Sequence, residues 1–138
     1  DWCSPSVDWL WNSGTENTPV KTEYDPCPDG WRVPTQAELK TLNDNHSSYT
    51  TDAKGQTGYW FSGSCPYTES VPQVFFPAAG FRHISGNPSL RGCEGMYWTS
   101  KSCGDGFAYY IHFEMGSIRD KYATSCLGGY SVRCVRAL

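Results

Sequence analysis

The run "YDPCPDGWRVPTQAEL", Tyr24–Leu39, decides how this chain is read. Cys27 sits between two prolines, an Asp29-Gly30 turn and Trp31 follow, and Pro34 precedes a helix start. Thr35 with Glu38 three residues on is a capping box: the hydroxyl and the carboxylate each take a backbone N–H that the first turn leaves unpaired. Leu39 and Leu42 then share one face of a short helix that fades at Asn43-Asp44-Asn45. The prolines fix φ, the Asp-Gly pair makes the turn, and Trp31 is expected to pack beneath the helix.

Working outward, residues 1–23 read as polar loop anchored by Trp2, Trp9, Leu10 and Trp11. Beyond residue 45 no second helix is predicted. Short apolar runs alternate with turns: "GYWFSG", "VFFPAAGF", "GMYWTS", "FAYYIHF" and "YSVRCVRAL". The last alternates, with Tyr130, Val132 and Cys134 on one face and Ser131, Arg133 and Val135 on the other. Residues 82–95 and 114–129 carry few strand formers and read as long connections, of the kind that are functional or stapled. The expected architecture is a single α+β domain over residues 1–138. A bond between Cys27, just upstream of the helix, and Cys134, on the buried face of the last strand, would close a loop of roughly a hundred residues. In the chain-entropy model that is worth about 4–5 kcal/mol. The opening run is then an anchor tying the domain's beginning to its end.

Composition narrows the function classes. A chain of 138 residues can bury one core, and 18% charge with 14 Gly, 9 Pro, 6 Trp and 9 Tyr describes a loop-rich, aromatic domain rather than a disordered one. A net charge of −3 gives no reason to expect nucleic acid as a partner, and no apolar run has the length for direct membrane insertion. The seven cysteines (3, 27, 65, 93, 103, 126, 134) form no CxxC pair or zinc-finger spacing, so no metal is expected; scattered in a turn-rich domain, they point to disulfides and an oxidising, extracytoplasmic compartment. An odd count leaves at least one cysteine free or paired outside the chain. The abrupt start at Asp1-Trp2-Cys3 reads as a piece of a longer protein.

"DPCPDGWRVPTQAEL", followed by "FFPAAGFR", "YWTS", "AYYIHF" and "GYSVRCVR", resembles the Fibrobacter succinogenes major paralogous domain, from about Trp9 to Arg136. That family is common in surface lipoproteins and secreted proteins of Bacteroidetes-type bacteria. The resemblance implies a C-type lectin-like fold: one or two short helices, a small twisted antiparallel sheet, long disulfide-stapled loops, and termini joined by a disulfide, here Cys27–Cys134. It also implies likeness to the variable proteins of diversity-generating retroelements, in which residues between framework positions form a receptor-binding surface. This chain keeps such a framework at Tyr97, Trp98, Ala108, Tyr109, Tyr110, Gly129 and Tyr130.

Three function classes follow. The first is a non-enzymatic recognition module, an adhesion or ligand-binding domain at the cell surface or secreted, taking a glycan or protein ligand on the loops of residues 82–128. Its expected contacts are His83, Arg91, Glu94, Lys101, Asp105, His112, Glu114, Arg119, Asp120 and Lys121, with no catalytic residue and no cofactor. His112, between Ile111 and Phe113 in a strand, is expected on the side opposite the core, and His46 in a solvated turn. Trp31, Trp60 and Trp98 are expected in the core. The EPN, QPD and WND motifs of calcium-dependent sugar binding are absent, and Asn87-Pro88 follows Gly86 rather than an acid. The second class is a structural cap or spacer of a surface lipoprotein or pilus-like assembly. The third, a thiol- or copper-dependent oxidase of the formylglycine-generating type, needs a neighbouring thiol pair from Cys93, Cys103 and Cys126, for which loop-stapling disulfides are the favoured reading. No GxSxG-like nucleophile turn is present to support a hydrolase.

Overall fold

The structure is a computed structural model that describes residues 8–52, 54–63 and 68–137. Cys3 and Cys65, and Trp2 among the expected anchors, lie outside the described residues.

The opening run folds as an anchor, held by two residues that the sequence reading passed over. Asp25, 6% exposed, accepts the Cys27 amide on one carboxylate oxygen and the Val33 amide on the other, both at 2.8 Å. Lys21 reaches across the turn to the carbonyls of Cys27 and Trp31 and to Asp25 itself. Trp31 N–H bonds back to the Pro28 carbonyl, and Gly30, third in that turn, has φ +77°, which a side chain would resist. Cys27 is bonded to Cys134. Beside the disulfide, strand β1 (Trp31–Arg32) pairs antiparallel with β10 (Val135–Arg136).

Helix α1 (Gln36–Thr41) starts on the capping box read from the sequence: Thr35 Oγ1 accepts from the Glu38 amide, and the Glu38 carboxylate from Thr35 N–H. Arg32 faces inward, 6% exposed, and clasps Glu38 with two bonds of 2.7 and 2.6 Å. Adjacent strand residues point to opposite sides, so Trp31 faces outward. It is 45% exposed, not packed beneath the helix. Trp98 is buried as expected, while Trp60 is only half-buried against Phe75. Leu42–Asp44 add a 3-10 turn.

The rest of the described chain is small antiparallel sheets, which with the one short α-helix makes an α+β protein. Strands β2 (Thr50–Thr51), β3 (Thr57–Ser62) and β4 (Gln73–Pro77) form one; β5 (Phe81–Arg82) and β6 (Pro88–Ser89) form a second. Strands β7 (Gly95–Gly104), β8 (Phe107–Glu114) and β9 (Ser117–Ser125) form the largest. Residues 129–131 extend it: Ser131 bonds to Met96 and Trp98 of β7, and Gly129 to Arg82 of β5. The core of Leu39, Tyr59, Phe61, Phe76, Ala78, Tyr97, Ile111 and Phe113 lies between these sheets and the helix. His46, expected in a solvated turn, is half-buried with its ring edge-on to Tyr59 at 5.2 Å. Gly95 is required by packing: a Cβ there would lie 2.0 Å from the fully buried Phe113 ring.

Several expectations are corrected. Residues 117–125, read as a connection, form β9. Their sequence is polar, but pairing along β8 supplies the ladder that propensity did not predict. The alternation of 130–135 becomes one isolated bridge, Ser131 with Tyr97, with regular pairing only at Val135–Arg136. Cys93, Cys103 and Cys126 are free thiols, so the loops here are held by hydrogen bonds and hairpin turns rather than by disulfides among these three.

Candidate functional site

The β7–β8–β9 sheet has a core face, with Tyr97, Ile111, Phe113 and Ile118, and an outward face on which the opposite residues gather. In β8 the outward residues are Tyr110, His112 and Glu114; Trp98 opposes Tyr110 from β7, and Tyr122 and Arg119 oppose Tyr110 and His112 from β9. Tyr130, carried in by the 129–131 extension, stacks on Trp98 with centroids 4.4 Å apart and planes 19° from parallel. It meets Tyr110 edge-on at 4.9 Å and Phe81 at 5.5 Å. The result is an aromatic patch from Phe81 through Tyr130 and Tyr110 to Tyr122, over a buried Trp98.

Polar groups rim the patch. His112 Nε2 is 2.6 Å from Glu94 Oε2, both side chains largely covered. Arg119 lies 3.3 Å from Glu114 and 5.9 Å above the Tyr122 ring. Burial pushes the Tyr110 phenol up, with the neighbouring Tyr130 and Tyr122 adding to it. Burial also raises Tyr130, against hydrogen bonds with Thr124 and Tyr110 that favour its ionised form. The phenols are thus tied to one another, and Tyr122, 45% exposed, is the ring most open to a ligand.

Of the residues expected from sequence, Glu94, His112, Glu114 and Arg119 come together on this face. His83 sits at its edge, in ring contact with Phe81 at 6.4 Å. Arg91 and Lys121 are exposed. Asp105 is a turn residue: with φ +51°, followed by Gly106 at φ +77°, it closes the β7–β8 hairpin in the geometry that Asp-Gly pairs favour. Asp120 is buried, 8% exposed, and its carbonyl accepts from Gln36 Nε2 of the helix. Lys101 lies away from the aromatic patch, its ammonium 5.0 Å from the Tyr109 ring. The sequence reading missed Tyr122, whose position one residue past the expected Lys121 became legible only once 117–125 was a strand.

The thiols are dispersed. Cys93 lies just before β7 and Cys103 near its far end, so the length of the strand separates them. Cys126 follows β9, two strand spacings or roughly 10 Å across the sheet from β7, beyond the reach of a disulfide with Cys103. Cys103 contacts the Tyr109 hydroxyl and pushes that phenol up; burial pushes the Cys126 thiol up, away from a reactive thiolate. Among the described residues no group of three His, Cys, Asp or Glu side chains is placed to hold a metal ion, and no helix is long and apolar enough to cross a membrane. Comparisons with protein-family models, curated proteins and solved structures find no match to this chain.

Proposed function

We propose that this chain is a non-enzymatic recognition module, working outside the cell or on its surface, that binds a glycan or protein ligand. The observation that carries the reading is the outward face of β7–β8–β9, where Tyr122, Tyr110 and Tyr130 lie beside Arg119, His112 and two carboxylates. Tyr and Arg are the residues on which binding energy concentrates: rigid apolar area with a polar handle, and a planar cation. The reading places the ligand on the sheet rather than on loops. The resemblance to the Fibrobacter succinogenes major paralogous domain and its C-type lectin-like fold belongs to the same proposal. It is supported by the Cys27–Cys134 bond and the tied ends. The extracellular assignment draws on that disulfide.

The test is a glycan array and a screen of surface proteins, read with wild type, Tyr122→Ala and Arg119→Ala. Both side chains are exposed, so the variants should fold. A ligand of this face loses roughly tenfold to a hundredfold in affinity with either change. Ligands indifferent to both changes, or no ligand at all, would leave the structural spacer as the better reading.

A further inference from the structure

A second site lies away from the aromatic patch, where the segment that includes Asp8 and Glu16 faces the far half of β7. The cleft between them has a volume of about 550 Å³, within the range of small-molecule sites, and is lined by Ser100, Lys101, Cys103 and Tyr109 on the sheet side. A bulge in β7 shapes it. Trp98 opposes Tyr110 and Ser102 opposes Ala108, so Thr99, Ser100 and Lys101 stand against Tyr109 alone. Thr99 Oγ1 bonds to the Tyr109 carbonyl, Ser100 N–H turns to Pro34, and Lys101 N–H closes on Thr99 Oγ1. Bulges of this kind re-aim side chains, and here they present Ser100 and Lys101 to the cleft.

Two groups in this lining are unsatisfied. Ser100 is 8% exposed, and its buried Oγ has no hydrogen-bond partner, a state that costs free energy unless a partner arrives. Lys101 has a ring for company but no carboxylate within ion-pair distance among the described residues. The carboxylates of the opposite wall already accept from protein donors, Asp8 from Ser102 Oγ at 2.8 Å and Glu16 from the Ala37 amide at 3.0 Å. They retain lone pairs for hydroxyl donors and repel a second negative charge. We infer that this cleft binds a monocarboxylate carrying several hydroxyls, a sugar acid of the uronic type, with its carboxylate on Lys101 and Ser100 and its hydroxyls on Asp8 and Glu16. A phosphate monoester, carrying close to two negative charges at neutral pH, suits the acidic wall less well.

The experiment titrates glucuronate, with glucose as the neutral control, into the isotope-labelled protein and follows backbone amides by NMR at low salt. The expected result is shifts at Lys101, Ser102 and Tyr109 with glucuronate and not with glucose. Lys101→Met should weaken binding at least tenfold, and Tyr122→Ala, on the other site, should leave it unchanged. Ser100→Ala is the second variant: it should weaken glucuronate severalfold while keeping or raising Tm, because the hydroxyl it removes is unpaired in the free protein. A silent cleft at tens of millimolar glucuronate, equal shifts with glucose, or unchanged affinity in both variants overturns the site. The aromatic-face reading survives that result, since it is read separately through Tyr122 and Arg119.

Discussion

Removing the Cys27–Cys134 bond is the perturbation whose size can be worked out from the structure. The bond closes a loop across a sequence separation of 107. Chain entropy then assigns it about 4.8 kcal/mol, a large share of a typical domain's stability of about 5–15 kcal/mol. With an unfolding entropy near 2.1 cal/mol/K per residue, a 138-residue chain should lose about 16 °C of Tm in the Cys27→Ala/Cys134→Ala double variant. Alanine is chosen because Cys27 is 5% exposed, and an unpaired thiol or hydroxyl would add its own penalty there. Calorimetry and urea titration are the assays, with peptide mapping to establish the bridge in wild type. The urea slope should rise, because the unfolded variant is no longer cross-linked and exposes more surface. Wild type in reductant should approach the variant. Among the described residues the one backbone ladder joining the same ends is the two-residue pairing of Trp31–Arg32 with Val135–Arg136, too short to hold them in the unfolded chain. A loss under about 1 kcal/mol, with the bridge proven in wild type, would refute the entropy argument. It would mean that the unfolded chain keeps its ends together by other contacts.

Two pH-linked predictions follow from the same end of the molecule and from the core. Glu38 is held below the ordinary carboxyl range, first by the hydrogen bonds from Arg32 and then by the Thr35 amide, against the opposing effect of burial. Its contribution is therefore fully present above the unfolded value near ~4.3 and is lost as pH falls through the lower folded value. Glu38→Ala should cost about 2 kcal/mol at pH 7, by removing a cap and the partner of a buried guanidinium, and should flatten the acid limb of a stability titration. Tyr97 behaves in the opposite sense: burial pushes its phenol up to about 12, so its contribution is complete below ~10 and lost as pH rises toward 12. Tyr97→Phe keeps the near-parallel ring contact with Phe113 and loses the bond to the Pro77 carbonyl; its stability should fall less steeply over that window, measured by chemical denaturation at a series of pH values.

The sequence spoke most clearly where local chemistry sets local structure. The capping box at Thr35 and Glu38, the turn at Gly30 and the core position of Leu39 need only neighbours within a few residues, and all are found. The anchor's polar brace was less legible, because Asp25 and Lys21 act through backbone groups of Cys27, Trp31 and Val33 that no side-chain pattern announces. The β7–β8–β9 meander had signals that went unread. "GDGF" at 104–107 is a strong two-residue hairpin signature, and "EMGS" at 114–117 puts Gly116, φ +79°, at the next turn. Reading both would have turned 117–125 into a strand despite its polarity and moved the expected contacts off the loops. The outward face itself was half legible: alternation placed His112 opposite Ile111 and Phe113, but its partner Glu94 is brought in by the pairing of Met96 with His112.

The two candidate sites share a structural cause that alternation alone does not reveal. In β9 the residues 120–121 stand against Ile111, so the strict alternation that would separate Arg119 from Tyr122 is broken and both reach the outward face. That slip puts the guanidinium over the Tyr122 ring. In β7 the extra residues against Tyr109 turn Ser100 and Lys101 toward the cleft. Each bulge interrupts the ladder and gives up regular pairing at that point. Bulges cost pairing and re-aim the side chains beside them, and here each lies beside a candidate site. Deleting Lys121 leaves Asp120 alone against Ile111 and sets Arg119 and Tyr122 two residues apart, so both should stay on the outward face, with the core residues Ile118 and Phe113 in register, since their pairing lies on the far side of the slip. Retained or raised thermal stability together with retained binding of every Tyr122-dependent ligand is the expected outcome. A deletion that lowers Tm as much as a core truncation would show instead that the bulge serves the packing of β9 against the helix through Asp120.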